Sequence, residues 1–116
     1  MYTSYFESVD IWKPIRNKYD SDGIMVDIYG KEDIANLTLL RIPMELRGKG
    51  LAKKIMNEIT NLADSHGVII GLTPTNEFGS SKSRLVSFYK SFGFVDNKGK
   101  NKDYRINQSM IRFPKN

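Results

Sequence analysis

The chain of 116 residues has no cysteine and only one histidine, His66. Disulfides, thiolate metal sites and any metal centre of several histidines are thereby excluded. A nucleophile–histidine relay would have to be built on His66, which reads instead as a capping or surface residue at a helix end. No apolar run approaches the ~18–20 residues needed to cross a bilayer. The first residues, Met1-Tyr2-Thr3-Ser4-Tyr5-Phe6-Glu7, lack the basic start and apolar stretch of a signal peptide. No membrane association and a cytoplasmic location are expected. No repeat, low-complexity tract or Pro/Ser-rich linker divides the chain, so residues 1–116 should form a single domain.

What is present starts with charge, a net +5 at neutral pH. That balance suits an anionic partner such as a nucleotide-like cofactor, a nucleic acid or an acidic protein. A solvated basic surface accounts for it equally well. Hydrophobic periodicity is more informative. Asp10 should cap a short helix carrying Ile11, Trp12, Ile15 and Tyr19, and Asp20-Ser21-Asp22-Gly23 is a turn cluster. Residues 24–29 alternate with Ile24, Val26 and Ile28 on one face, as in a half-buried strand. After a turn at 30–33, residues 35–42 are apolar on both faces, which predicts an inner strand and an antiparallel hairpin.

Residues 50–65 form the best helix pattern, with Leu51, Ile55, Ile59 and Leu62 in one apolar row and Gly67 as its stop. The run 68–73 reads as a strand covered on both faces, and strand–helix–strand in this order predicts a parallel crossover. A polar loop at 76–81, a second helix at about 83–92 and closing strands at 94–95 and 109–113 complete the pattern. The order ββαβαββ predicts an α+β fold, an α/β sandwich with a mixed sheet and helices packed against it.

The segment Ile42-Pro43-Met44-Glu45-Leu46-Arg47-Gly48-Lys49-Gly50-Leu51-Ala52 joins the inner strand to the best helix. A glycine-rich turn running into a helix start directs backbone N–H groups and the positive end of the helix dipole at one point, a site for phosphate. The spacing GxxxxGK[ST] of nucleotide triphosphatases does not occur. A GxGxxG or GxGxxA dinucleotide loop fails because Lys53 stands where close helix–strand packing calls for a small residue. Gly48 and Gly50 leave no Cβ between the backbone and phosphate oxygens. Arg47 and Lys49 can add charge-assisted contacts, or stay on the surface.

Glu45-Leu46-Arg47-Gly48-Lys49-Gly50 resembles motif A of the GCN5-related N-acetyltransferase (GNAT) superfamily, Q/R-x-x-G-x-G/A, with Glu45 at the first position. Phe88-Tyr89 followed by Gly93-Phe94 resembles its motif B, with Lys82 and Leu85 where the family has Asn and Ala. The resemblance covers about residues 24–113 and implies a reduced N-terminal region, with the family's usual first strand and helices shortened or missing. It implies an acetyl-CoA-dependent N-acetyltransferase in which an amine attacks the thioester directly. It further implies that coenzyme A is held by Leu40 and Ile42 of the strand and by Arg47, Gly48, Lys49, Gly50, Leu51 and Ala52. The strand from Leu39 to Ile42 should pair with the pantetheine arm and splay from the 68–73 strand, and a backbone N–H near Leu40 or Ile42 should polarise the carbonyl. Tyr89 sits where the family's thiolate-protonating tyrosine sits; as an alternative, its ring only packs on the sheet.

No general base is legible; Asp27, Asp33 and Glu77 are candidates, and no metal is implied. The stretch Lys98, Lys100, Lys102 and Arg105 is a solvated hairpin or a contact for an anionic substrate. A chain this short does not carry the long substrate lid of larger members. The amine acceptor is therefore expected on a protein or other macromolecule, unless a homodimer completes the pocket. Nucleic acid is disfavoured, since stacking aromatics interleaved with basic residues are lacking. A catalytically silent module of the same fold, binding CoA or a protein, is the alternative.

Overall fold

The computed structural model describes residues 10–75 and 81–115. The opening residues 1–9 and most of the expected 76–81 loop, Glu77 included, lie outside them. The chain order is α1 (Lys13–Lys18), β1 (Met25–Lys31), β2 (Ile34–Arg41), α2 (Leu51–His66), β3 (Ile69–Leu72), α3 (Lys82–Lys90), β4 (Val95–Asp96) and β5 (Met110–Arg112). This is the expected ββαβαββ series behind a short first helix.

The five strands form one mixed sheet in the order β1-β2-β3-β5-β4. β1 and β2 are an antiparallel hairpin, β2 and β3 are parallel, and β5 runs antiparallel to both β3 and β4. The crossovers β2–α2–β3 and β3–α3–β4 advance across the sheet in the same direction. Right-handed crossovers then place α2 and α3 on one face. The core forms there, with Val26, Ile28, Leu37, Ile70 and Leu72 of the strands against Ile55, Met56, Ile59 and Ala63 of α2 and Trp12, Ile15 and Tyr19 of the α1 region. The other face is covered between β3 and β5 by the segment 97–109, where Ile106 lies over Gly71. Towards β1 that face is open, and Tyr29 is more than half exposed.

Three local expectations are adjusted. Asp10 does not cap α1: Trp12 is the N-cap residue and has no side-chain cap bond. The Asp10 carboxylate instead accepts the Trp12 N–H at 3.0 Å and pairs with Arg16, which also donates to the Ile28 carbonyl at 2.8 Å. The hairpin turn is tighter than 30–33, with Glu32 at φ +60 and strand pairing continuing through Lys31 and Ile34. α3 starts at Lys82 because the Ser81 hydroxyl accepts the Arg84 N–H at 3.2 Å, and it ends at Lys90 in a turn before Gly93. Gly67, at φ +67, ends α2 as expected.

An ion pair closes the far side of the sheet. Arg112, almost wholly buried, holds the Asp64 carboxylate of α2 with two bonds of 2.8 and 3.0 Å and donates to the Phe92 carbonyl at 2.6 Å. Its guanidinium keeps the Asp64 carboxyl below its ordinary range.

Candidate active site

The site is made where strand pairing stops. β2 and β3 are paired from Ile34 and Ile69 up to Leu37 and Leu72, and no further. β2 continues to Arg41 beside β1 alone, while β3 gives way to Thr73 and Pro74. Pro74 has no N–H to continue a ladder. The strands therefore part as expected, and a cleft of about 400 Å³ opens between them. In β2 the register skips Thr38, since Asp27 pairs with Leu39 and Ile28 with Leu37. This one-residue bulge bends the strand at the mouth of the split. The Thr38 hydroxyl donates to the Asp27 carbonyl at 3.2 Å.

One wall of the cleft is the glycine loop and the start of α2. Met44–Leu46 is a single 3₁₀ turn, after which Arg47 is extended and Gly48 and Gly50 take φ values of +79 and +75. These angles favour glycine. A Cβ at either position would meet no protein atom within 4 Å, so the space in front of both is open. The first helical bond runs from the Lys54 N–H to the Gly50 carbonyl at 3.0 Å. The N–H groups of Leu51, Ala52 and Lys53 thus have no partner within the helix. Gly50 offers no capping side chain, and no acidic residue stands in the first turn. Three backbone donors at the positive end of a 16-residue helix border the cleft uncapped. The Arg47 Nε donates to the Ile42 carbonyl at 2.9 Å and ties the loop across its base.

The opposite wall comes from α3, through Leu85, Phe88 and Tyr89. Tyr89 is partly buried, with its ring edge-on to Phe88 and Phe94 at 5.3 and 5.8 Å between centroids. Burial raises its phenol above the ordinary value, so it is protonated at neutral pH.

Of the residues singled out from sequence, Leu40, Ile42, Arg47, Gly48, Gly50, Leu51, Ala52 and Tyr89 all line the cleft. Lys49 is exposed and lies outside the lining, as does Glu45. Asp27 and His66 are not in the lining either. Asp33 sits at the far end of β2, where its carbonyl accepts the Ile69 N–H at 2.8 Å. Sequence reading missed Leu37, Thr38, Lys53, Leu72 and Thr73. Lys53 follows from its place in the first helical turn, and Pro74 signals where β3 must stop. The bulge at Thr38 carries no sequence signal.

The basic 98–105 stretch is built differently. Arg105 is bound to Asp103 at 2.9 and 3.1 Å and approaches Asp33 at 3.4 Å. Buried Asn97 donates to the Ile106 and Gln108 carbonyls, both at 3.0 Å, and accepts the Asp103 N–H at 2.8 Å. Among the described residues no three His, Cys, Asp or Glu side chains gather as a metal site. No described helix is long and apolar enough to cross a membrane.

A family model described as an acetyltransferase (GNAT) domain matches residues 18–107, a span that includes the glycine loop, the strand split and Tyr89. No curated protein and no solved structure matches the chain significantly.

Proposed function

Because the chain belongs to the GNAT acetyltransferase family, we propose that it transfers an acetyl group from acetyl-CoA to an amine. The observation that carries this reading is the uncapped start of α2 opening into the split between β2 and β3. Acetyl-CoA supplies the activated acyl group as a thioester. The residues present fit it: the open donors of Leu51, Ala52 and Lys53, with Gly48 and Gly50 leaving room in front, suit a pyrophosphate. The edge of β2 without a β3 partner, around Leu40 and Ile42, suits an amide-bearing arm that pairs like a strand. A backbone N–H on that edge is the donor for the carbonyl oxygen.

Tyr89 serves as the acid, giving the proton of its Oη to the departing sulfur. Burial keeps the phenol protonated at neutral pH, so the proton is in place when the carbon–sulfur bond breaks, although the same burial makes the phenol a weaker acid. The amine is presented by a protein or other macromolecule. Neither Asp27 nor Asp33 lines the cleft, and Glu77 lies outside the described residues.

A thermal melt with acetyl-CoA followed by an assay of thiol release tests the reading. At about a hundredfold excess over Kd, ligand linkage adds about 2.7 kcal/mol, a rise in Tm on the order of 10 °C or more for a domain of this size. Proteins acetylated on expression of the chain, identified by mass spectrometry, supply the acceptor. Tyr89→Phe should keep the melting shift and lower turnover about 100-fold. Unchanged turnover at saturating substrate would refute the acid role. A melting shift without thiol release on broad amine and protein pools would mark a silent binding module, and no shift would end the donor assignment.

A further inference from the structure

The strands that open the cleft also close it. Leu37 and Leu72 are partners in the last register pair of β2 and β3, and both line the cleft. They are 4% and 2% exposed and belong to the core. Behind them the pairs Asn36–Gly71 and Ala35–Ile70 keep the sheet continuous. On the same face Ile55 and Met56 of α2 are wholly buried. The inner end of the cleft is thus two leucines backed by hydrogen-bonded sheet and packed core. A close-packed interior does not yield a methylene's space without displacing its neighbours.

A donor with its phosphates at the start of α2 and its arm along β2 carries the acyl group at the end remote from the phosphates, towards this closed end. We infer that Leu37 and Leu72 set the length of acyl group the protein accepts, admitting two carbons and excluding longer chains. The inference rests on the CoA thioester reading above and adds the residues that select among such donors. The competing geometry lets a longer chain leave the cleft over Thr38 and Thr73, both exposed, where it would meet no wall.

Calorimetric titration of the full chain with CoA, acetyl-CoA, propionyl-CoA and butyryl-CoA separates these cases without knowledge of the acceptor. Wild type should bind butyryl-CoA at least about tenfold more weakly than acetyl-CoA, the scale of one misfitted methylene in an apolar pocket. Leu72→Ala should narrow that ratio to about threefold or less by opening the end wall. Leu37→Val, a milder change that keeps the fold if the first variant melts, should narrow it by a smaller factor. Equal affinity of wild type for acetyl-CoA and butyryl-CoA would overturn the inference, as would a ratio unchanged in the variants that fold. Failure of CoA and of every thioester to bind would instead remove the donor assignment, and this inference with it.

Discussion

The segments 43–50 and 97–108 are both basic, both irregular and both braced by hydrogen bonds, yet they treat their polar groups in opposite ways. In 97–108 one buried asparagine serves three backbone groups, Asp103 engages Arg105, and Arg105 reaches on to Asp33. In 43–50 the Arg47 Nε ties the base of the loop through the Ile42 carbonyl, and the helix that follows begins with no capping side chain and no acid. The second arrangement leaves donors facing open space, and the first consumes its own. Lys98, Lys100, Lys102 and Arg105 lie exposed on an internally bonded loop, whereas backbone donors left open by the start of α2 border a cleft.

Placing the same charge in each loop should break the comparison most sharply. Gly48→Asp adds a carboxylate and a Cβ to open space in front of the donors, and affinity for CoA should fall about 100-fold or more, the scale of one or two charge-assisted bonds. Gly99→Asp, the matched change in the other loop at φ +61 and likewise facing open space, should alter it by less than about threefold. Equal losses by titration would mean that net charge, not local geometry, attracts the ligand.

Asn97→Ala should reverse the pattern. Loss of its bonds strands the Ile106 and Gln108 carbonyls and the Asp103 N–H, at a cost of about 2 kcal/mol. A urea titration should show that loss, while CoA affinity stays within about threefold of wild type.

How far this was readable beforehand depends on the length scale of the signal. Strand alternation at Ile24, Val26 and Ile28, the apolar row Leu51, Ile55 and Ile59, and the stop at Gly67 are local features, and the element order followed from them. The glycine loop was legible for the same reason, since its φ angles depend on Gly48 and Gly50 themselves. The bulge at Thr38 was not, because it is set by how two strands match register. Nor was the brace of 97–109: Asn97 reads as one polar residue among many until its partners are known. Asp10 was legible as a cap in part, since its carboxylate accepts the Trp12 N–H just before α1, but its pairing with Arg16, six residues on, was not.

The Arg112–Asp64 pair offers a smaller test on the scaffold. The guanidinium holds the Asp64 carboxyl below its usual value, so the pair stabilises the fold fully above the unfolded-chain pKa of about 3.9. That stability is lost as pH falls through the lower folded value. Asp64→Asn should therefore be less stable than wild type near neutrality. Its urea midpoint should also fall less between about pH 5 and about pH 2. Parallel curves for the two proteins would deny the pair its role.

The central claim is that the start of α2 holds the phosphates of coenzyme A. Calorimetric titration of the chain with coenzyme A and, separately, with pantetheine, which shares the arm but has no phosphate, tests it most directly. The account predicts one coenzyme A bound per chain and pantetheine weaker by about 100-fold or more, the loss of charge-assisted bonds to the phosphates. Equal binding of the two, or no binding of coenzyme A, would contradict it.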